Sequence, residues 1–356
     1  MHQALYHPQY GYYSSGHAKL GRRGDYYTNV SVGPMFGRLL AFQFTEIWEQ
    51  LGRPPKFEIV EQGAHDGQFA HDVLRELATI SPECSETIRY HIIEPFPPLR
   101  EAQENRLSEF GDRLEWSLAL DEVEPFVGVH FSNELLDSMP VHLVRRSGKD
   151  GDSQWTEKLV NWQDERFGFV EAPFSDQRIG QQLGVLADVP DEVEVEINLV
   201  AFDWITGLSE KLRDGHVIAI DYGYVTADLL ALRQRAGTLQ CRAQHRLVDS
   251  PFEVIGHCDI TAHVNWSAIA SHAENHGFIL GGFTDQHHFL TGIVAEHPAA
   301  IQAADASARR QLQTLLHPEM MGRSFQVLGL RRDTTGTPDL SGFKFARPAR
   351  EQLGLD

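Results

Sequence analysis

Cysteine is scarce in this chain of 356 residues: only Cys84, Cys241 and Cys258 occur, far apart and with no C-x-x-C pair. Such spacing indicates neither a disulfide framework nor a zinc ligand set, and a reduced, cytoplasmic setting fits it best. Basic residues are also few, 31 Lys+Arg against 50 Asp+Glu, for a formal net charge of -19. That balance disfavours nucleic acid and anionic membranes as partners and favours basic proteins or small molecules. No apolar run approaches the ~20 residues of a membrane span. The start, MHQALYHPQYGYY, lacks the basic residues and apolar core of a signal peptide. Although there are 18 histidines, none forms H-E-x-x-H or another spacing that sets two imidazoles on one helix face with a carboxylate, so no metal is expected. Internal repeats and low-complexity tracts are absent as well.

What is present begins with KFEIVEQGAHDGQFAHDVLREL, residues 56–77. A short strand from Phe57 to Glu61 runs through a two-glycine turn into a helix whose apolar face is Phe69, Val73, Leu74 and Leu77. The pattern recurs: strand IRYHIIEP, helix PPLREAQENRLSEF, strands LEWSL and VGVHFSNE, and later HVIAIDYG. Strands alternating with helices of this length predict an α/β, doubly wound, mostly parallel sheet. Its ligand belongs at the carboxyl ends of the strands, which are Glu61, Glu94, Asn133-Glu134 and Asp221-Tyr222-Gly223. The runs GFILGGF and SFQVLGLRR suit an antiparallel last pair at the edge of the sheet, with a helix around Ala303 to Leu316 between them.

The expected organisation is an N-terminal arm and helix (1–50), a first core half (51–140), an inserted antiparallel β-hairpin lobe (141–195), core (196–236), a second, irregular insertion (237–263), the end of the core (264–335) and a tail (336–356). Aromatic residues interleaved with glycines in the arm either pack on the core or form a lid over the ligand cleft.

Glycines at 63 and 67 let a backbone approach a ligand and free the N-H groups of the following helix for an anion. The G-x-G-x-x-G that cradles a pyrophosphate is missing, which disfavours a nicotinamide dinucleotide and an oxidoreductase. Glu94, at the end of the second strand, is placed either to accept both hydroxyls of a ribose or simply as a solvated strand-end acid. SNELLDSMP sets Asn133, Glu134 and Asp137 at the mouth of the sheet. Two carboxylates there can grip a guanidinium by bidentate bonds, unless Asn133 or Asp137 caps a short helix.

The stretches GDYYTN, VEQGAHDGQF, HIIEP, NELLDSMPVH, AIDYG, GTLQCRAQHR and DITAHVNW stand in the order found in the MidA-type family, which the chain resembles from about Leu5 to Leu330. These are S-adenosylmethionine-dependent methyltransferases related to the mitochondrial complex I assembly factor that methylates a protein arginine. The resemblance implies a seven-stranded Rossmann-like methyltransferase sheet with S-adenosyl-L-methionine as cofactor. It implies cofactor contacts from Glu61, Gly63, Gly67 and Glu94, with Tyr26, Tyr27 and Thr28 of the arm closing over the sulfonium. Glu134 and Asp137, with Asn133 beside them, then hold an arginine of a basic protein substrate. The family's Glu-Leu-Gly-Pro-Gly-Arg-Gly falls on residues 61–67, with His65 in place of the middle glycine. Histidine tolerates positive φ poorly, so either the loop is expected to bend differently or the cofactor to sit slightly elsewhere, with Asp66 capping the helix. That altered loop leaves a non-catalytic assembly chaperone as the alternative. Asp259 and His263 fall in a motif that resembles the family's, without an assigned chemical step.

Overall fold

A computed structural model describes residues 1–15, 28–147, 154–183, 193–231, 237–243, 246–302, 304–332 and 339–355. Apolar, β-branched runs form the strands of the central sheet: Phe57–Gln62 (β1), Ile88–Ile93 (β2), Leu114–Ser117 (β3) and Phe126–Asn133 (β4) come first. The inserted lobe follows with His142–Ser147 (β5), Gln154–Gln163 (β6), Arg166–Ala172 (β7) and Glu194–Ile197 (β8). Leu212–Tyr224 (β9) returns to the core, and Gln240–Ala243 (β10), Arg246–Val248 (β11) and Asp259–Thr261 (β12) form a second outlying sheet. Val264–Asn265 (β13), Ile279–Asp285 (β14) and Phe325–Arg332 (β15) complete the chain.

The central sheet has the order β14-β15-β9-β4-β1-β2-β3, with β13 alongside the end of β9. Strands β1, β2, β3, β4 and β9 are parallel, and β15 runs antiparallel to both β9 and β14. Register fixes what matters for function. Gln62 lies level with Ile93 and Ser132, and Asn133 with Ile220, so the residues that follow each strand emerge along one edge.

Alternation along the strands divides the core between the two faces of the sheet. Ile59, Tyr90, Ile92, Val129, Phe131 and Ile218 face helices Met35–Gln50 and Gln68–Ile80, whereas Val60, Ile93, Val217 and Ala219 face helices Leu199–Lys211 and Trp266–Asn275. Phe69 stacks on Phe131 at 4.2 Å, under the loop that follows β1. Each such fully buried aromatic ring contributes roughly 1.5–3 kcal/mol by leaving water. The two strands meet closely at Gly128, where φ is 152° and a methyl group would run into the Glu58 carbonyl oxygen of β1. No helix among the described residues is long and apolar enough to cross a membrane.

Four expectations need correction. The second insertion is regular: β10, β11 and β12 form an antiparallel sheet, and its apolar side, Cys241, Cys258 and Ile260, packs against Leu5 and Tyr12 of the N-terminal arm. The hairpin lobe runs past residue 195, because β8 ends at Ile197 and pairs with β5. A helix absent from the sequence reading, Gln286–Glu296, lies between β14 and the helix Ala306–Leu316. Finally, His272 and His276 do share a helix face, with ring centroids 4.2 Å apart and both Nε2 atoms near Thr206 Oγ1. No group of three or more metal-ligating side chains occurs among the described residues. The Gly-Lys-Asp-Gly turn at 148–151 lies outside the described residues. Part of the tail packs onto the sheet, where Phe343 sits against Gly282, Gly329 and Phe289.

Candidate active site

After β1 the chain passes Gly63 at φ 83° and Gly67 at φ 79°, glycine's territory. His65 between them also stands at φ 46°. The histidine itself takes the left-handed backbone that its type tolerates poorly, at a cost of about 1–2 kcal/mol. Helix Pro97–Leu107 enforces it. Gln103 Nε2 donates to the His65 carbonyl at 2.7 Å, and Arg106 donates to the Asp66 carbonyl at 2.9 Å and to its carboxylate at 2.7 Å. Asp66 also accepts the Gln68 N-H at 3.3 Å, but the N-cap residue of the following helix is Gly67.

The loop borders a cavity of about 910 Å³ along the carboxyl edge of the sheet, a size typical of small-molecule and cofactor sites. Gly63, Ala64, His65 and Asp66 form one part of its wall, and Glu61 and Glu94 another. Gly67 lies off that wall and faces Leu107 and Gln103 instead. Glu94 is only 4% exposed. Its carboxyl accepts the Phe96 N-H at 2.9 Å and Gln103 Nε2 at 2.9 Å, so the same glutamine ties loop to acid. Burial raises the Glu94 carboxyl to about 7, against the opposing pull of those hydrogen bonds. Glu61, buried and holding the Tyr90 hydroxyl at 2.7 Å, is raised by burial to about 8.

The other end of the cavity is acidic. Glu134 follows β4 at φ 56°, its N-H bonded to the Ile220 carbonyl at 2.9 Å. Asn133 Nδ2 donates to Glu134 Oε1 at 2.9 Å, and Asn29 Nδ2 holds Asn133 Oδ1 at 2.9 Å. Residues 134–139 form turns, so neither Asn133 nor Asp137 caps a helix here. Asp221, at the end of β9, accepts the N-H groups of Leu136, Asp137 and Tyr222 and thereby clamps that turn to the sheet. Burial raises Glu134 to about 8 and Asp221 to about 7. The Asp137 carboxyl goes well above its ordinary range, through burial first and then the charges of Asp221, Asp259 and Glu134. Near neutral pH such a set retains protons unless a cation enters.

Most of the expected residues meet in one space: Glu61, Gly63, Glu94, Asn133, Glu134, Asp137 and Thr28 all border the cavity. Tyr26 and Tyr27 lie outside the described residues. Sequence reasoning expected the arm to pack on the core or to close over the cleft, but it named none of the contacts that the first fifteen residues make. Tyr13 donates to Asp259 Oδ1 at 2.6 Å, and Tyr6 donates to the Ser138 carbonyl at 2.9 Å. Tyr6 also stacks between Tyr13 and Phe96, at 5.7 and 6.1 Å. Asp259 and His263, left without a role, border the cavity too. The only signal for this was the family-like motif around them and the aromatic density of the arm.

Residues 39–284 match a family described as S-adenosyl-L-methionine-dependent methyltransferases. The mitochondrial protein arginine methyltransferase NDUFAF7 homolog of Drosophila melanogaster is 26% identical, over 93% of this chain and 80% of that protein. NDUFAF7 of Danio rerio is 25% identical, over 93% of this chain and 82% of that protein. A crystal structure from Burkholderia thailandensis, bound to S-adenosyl-homocysteine, is 30% identical with a TM-score of 0.86, covering 98% of this chain and 90% of that one.

Proposed function

The chain belongs to the MidA-type family of S-adenosyl-L-methionine-dependent methyltransferases, and from that premise we propose that it methylates a nitrogen of an arginine in a protein substrate. The observation that carries the choice of acceptor is the acidic end of the cavity, where Glu134 and Asp137 stand over Asp221 and beside Asp259. The arginine specificity in the names of the curated relatives supports it, as does the net charge of -19, which attracts basic proteins.

The cavity's residues fit the cofactor. Its size, the glycine loop after β1 and a buried acid after β2 suit a ribose with an amino-acid arm. Glu94 would take the ribose hydroxyls, and Gly63 would allow close approach of the amino-acid part. When bound, S-adenosyl-L-methionine supplies a methyl group activated by its positive sulfonium. The remaining task is positioning. Glu134 and Asp137 would grip the planar guanidinium by charge-assisted hydrogen bonds and aim one nitrogen along the reaction axis. As the new N-C bond forms, that nitrogen must lose a proton, and Glu134, whose proton affinity burial has raised, would receive it.

The test measures incorporation of labelled methyl groups into an arginine-rich protein and into the same protein with arginines replaced by lysine. Label confined to the arginine form, and abolished by Glu134→Gln while S-adenosyl-homocysteine affinity stays within about twofold, is the expected result. Equal labelling of both, or unchanged transfer by the variant, would overturn the assignment.

A further inference from the structure

We propose that His65 is a cofactor-binding residue that donates a hydrogen bond to the carboxylate of the cofactor's amino-acid arm; this rests on reading the cavity as the cofactor site. Three observations converge on it. A non-glycine residue holds a left-handed backbone at φ 46°, in a loop where glycine would sit without strain. The imidazole borders the cavity, between Ala64 and Asp66 and on the same wall as Gly63 and Glu94. Both ring nitrogens are buried without a hydrogen-bond partner; Nδ1 has only a 3.7 Å ion-pair contact with Asp66 Oδ1, available when the ring is protonated, and Nε2 has none.

Buried polar atoms are nearly always paired, so a ring with an orphaned Nε2 and neither nitrogen hydrogen-bonded lacks something that completes it. The side chain as a whole is 24% exposed, so its accessible surface belongs to carbon. A half-turn about Cβ-Cγ exchanges Nδ1 with Cδ2 and Nε2 with Cε1, so each nitrogen can take the place of a ring carbon. The backbone cannot follow, because Gln103 holds the His65 carbonyl and the Glu94 carboxyl together. Such a turn would leave the backbone in place.

The chemistry of the wall selects the carboxylate. Among the described residues, those of the lining that can carry positive charge are His2, His65, Arg242 and His263. Three of them come from the N-terminal arm or from the region of β10 to β12. At the carboxyl ends of β1 and β2, where Glu61, Asp66 and Glu94 are acids, His65 is the basic side chain of the described lining. A carboxylate placed there without it would meet no basic side chain of the described lining.

The experiment titrates wild type, His65→Gly and His65→Asn with S-adenosyl-homocysteine and with methylthioadenosine, which lacks the amino-acid arm, and records the melting temperature of each ligand-free protein. Glycine relieves the backbone strain, so His65→Gly should fold and melt higher than wild type. It should bind S-adenosyl-homocysteine about tenfold more weakly or worse, with methylthioadenosine affinity within about twofold. Asparagine, which tolerates left-handed φ and retains a donor, should recover part of the loss. Wild-type affinity for S-adenosyl-homocysteine in His65→Gly would overturn the proposal. Equal weakening for both ligands would overturn the carboxylate assignment. Failure of wild type to bind either ligand would instead refute the cofactor-site reading beneath it.

Discussion

Replacing Glu94 by Gln should make the protein's stability less sensitive to pH, and the size of the change follows from the site. Burial raises this carboxyl from its ordinary 4.5 to about 7. A group whose pKa is raised in the folded state prefers to keep its proton there. Its favourable contribution is therefore complete below pH 4.5 and is lost as pH rises to about 7. At ~1.4 kcal/mol per pH unit, the loss comes to roughly 3 kcal/mol. Glutamine retains the shape but does not ionise. One of its ends must present an NH₂ to a donor, either the Phe96 N-H or Gln103 Nε2, at a penalty of about 1–3 kcal/mol that is the same at every pH. The informative quantity is thus the difference between variant and wild type across pH. Urea unfolding at pH 4.5, 6, 7 and 8 should show that difference moving by roughly 3 kcal/mol in the variant's favour. Curves that stay parallel would mean that Glu94 ionises as freely in the fold as in water, and the argument from its burial would fail.

Acceptor binding should show the opposite trend with pH. Since Glu134 and Asp221 sit near 8 and 7 and Asp137 well above its ordinary range, protons compete with a cation at each of them. Affinity for an arginine peptide, measured by calorimetry, should strengthen between pH 6 and 8.5, by up to about tenfold per pH unit for each proton displaced. Tyr13→Phe removes the donor to Asp259 but keeps the ring. It should raise the KM for the protein acceptor several-fold and leave S-adenosyl-homocysteine affinity unchanged, as steady-state kinetics and titration can test. Gly128→Ala forces a methyl into the Glu58 carbonyl at the centre of the sheet and should cost roughly 4 kcal/mol or more, read from the urea midpoint.

The central sheet was legible because its strands are continuous apolar runs bounded by turns, and because β1 announces itself with a glycine turn and an amphipathic helix. Glu94 and Glu134 could be placed at one edge from strand order alone. The helix Gln286–Glu296 was not, since its buried face, Gln286, Phe289, Leu290, Gly292 and Ile293, includes a glutamine and a glycine and so gives a weak apolar period. Strands β10 to β12 have three or four residues each, too few to show a period. Glu134 and Asp137 were legible at the mouth of the sheet, but the contacts that extend the acidic cluster to Asp221 and Asp259 escaped for a different reason. Tyr13 and Asp259 are 246 residues apart, and Asp221 acts through backbone groups 84 and 85 residues away. Only the folded sheet brings them together. His65 could be read as a departure from the family's loop, but its left-handed backbone follows from contacts with helix Pro97–Leu107, which the loop sequence does not contain.

The central claim is that a set of buried carboxylates receives a guanidinium cation beside the cofactor. It is tested most directly by titrating protein saturated with S-adenosyl-homocysteine with three peptides that differ at one residue: arginine, lysine or citrulline. Citrulline has nearly the shape of arginine without the charge. The account predicts binding of the arginine peptide, weaker binding of the lysine peptide and no measurable binding with citrulline, with Glu134→Gln abolishing the arginine preference. Equal affinity for arginine and citrulline would contradict it.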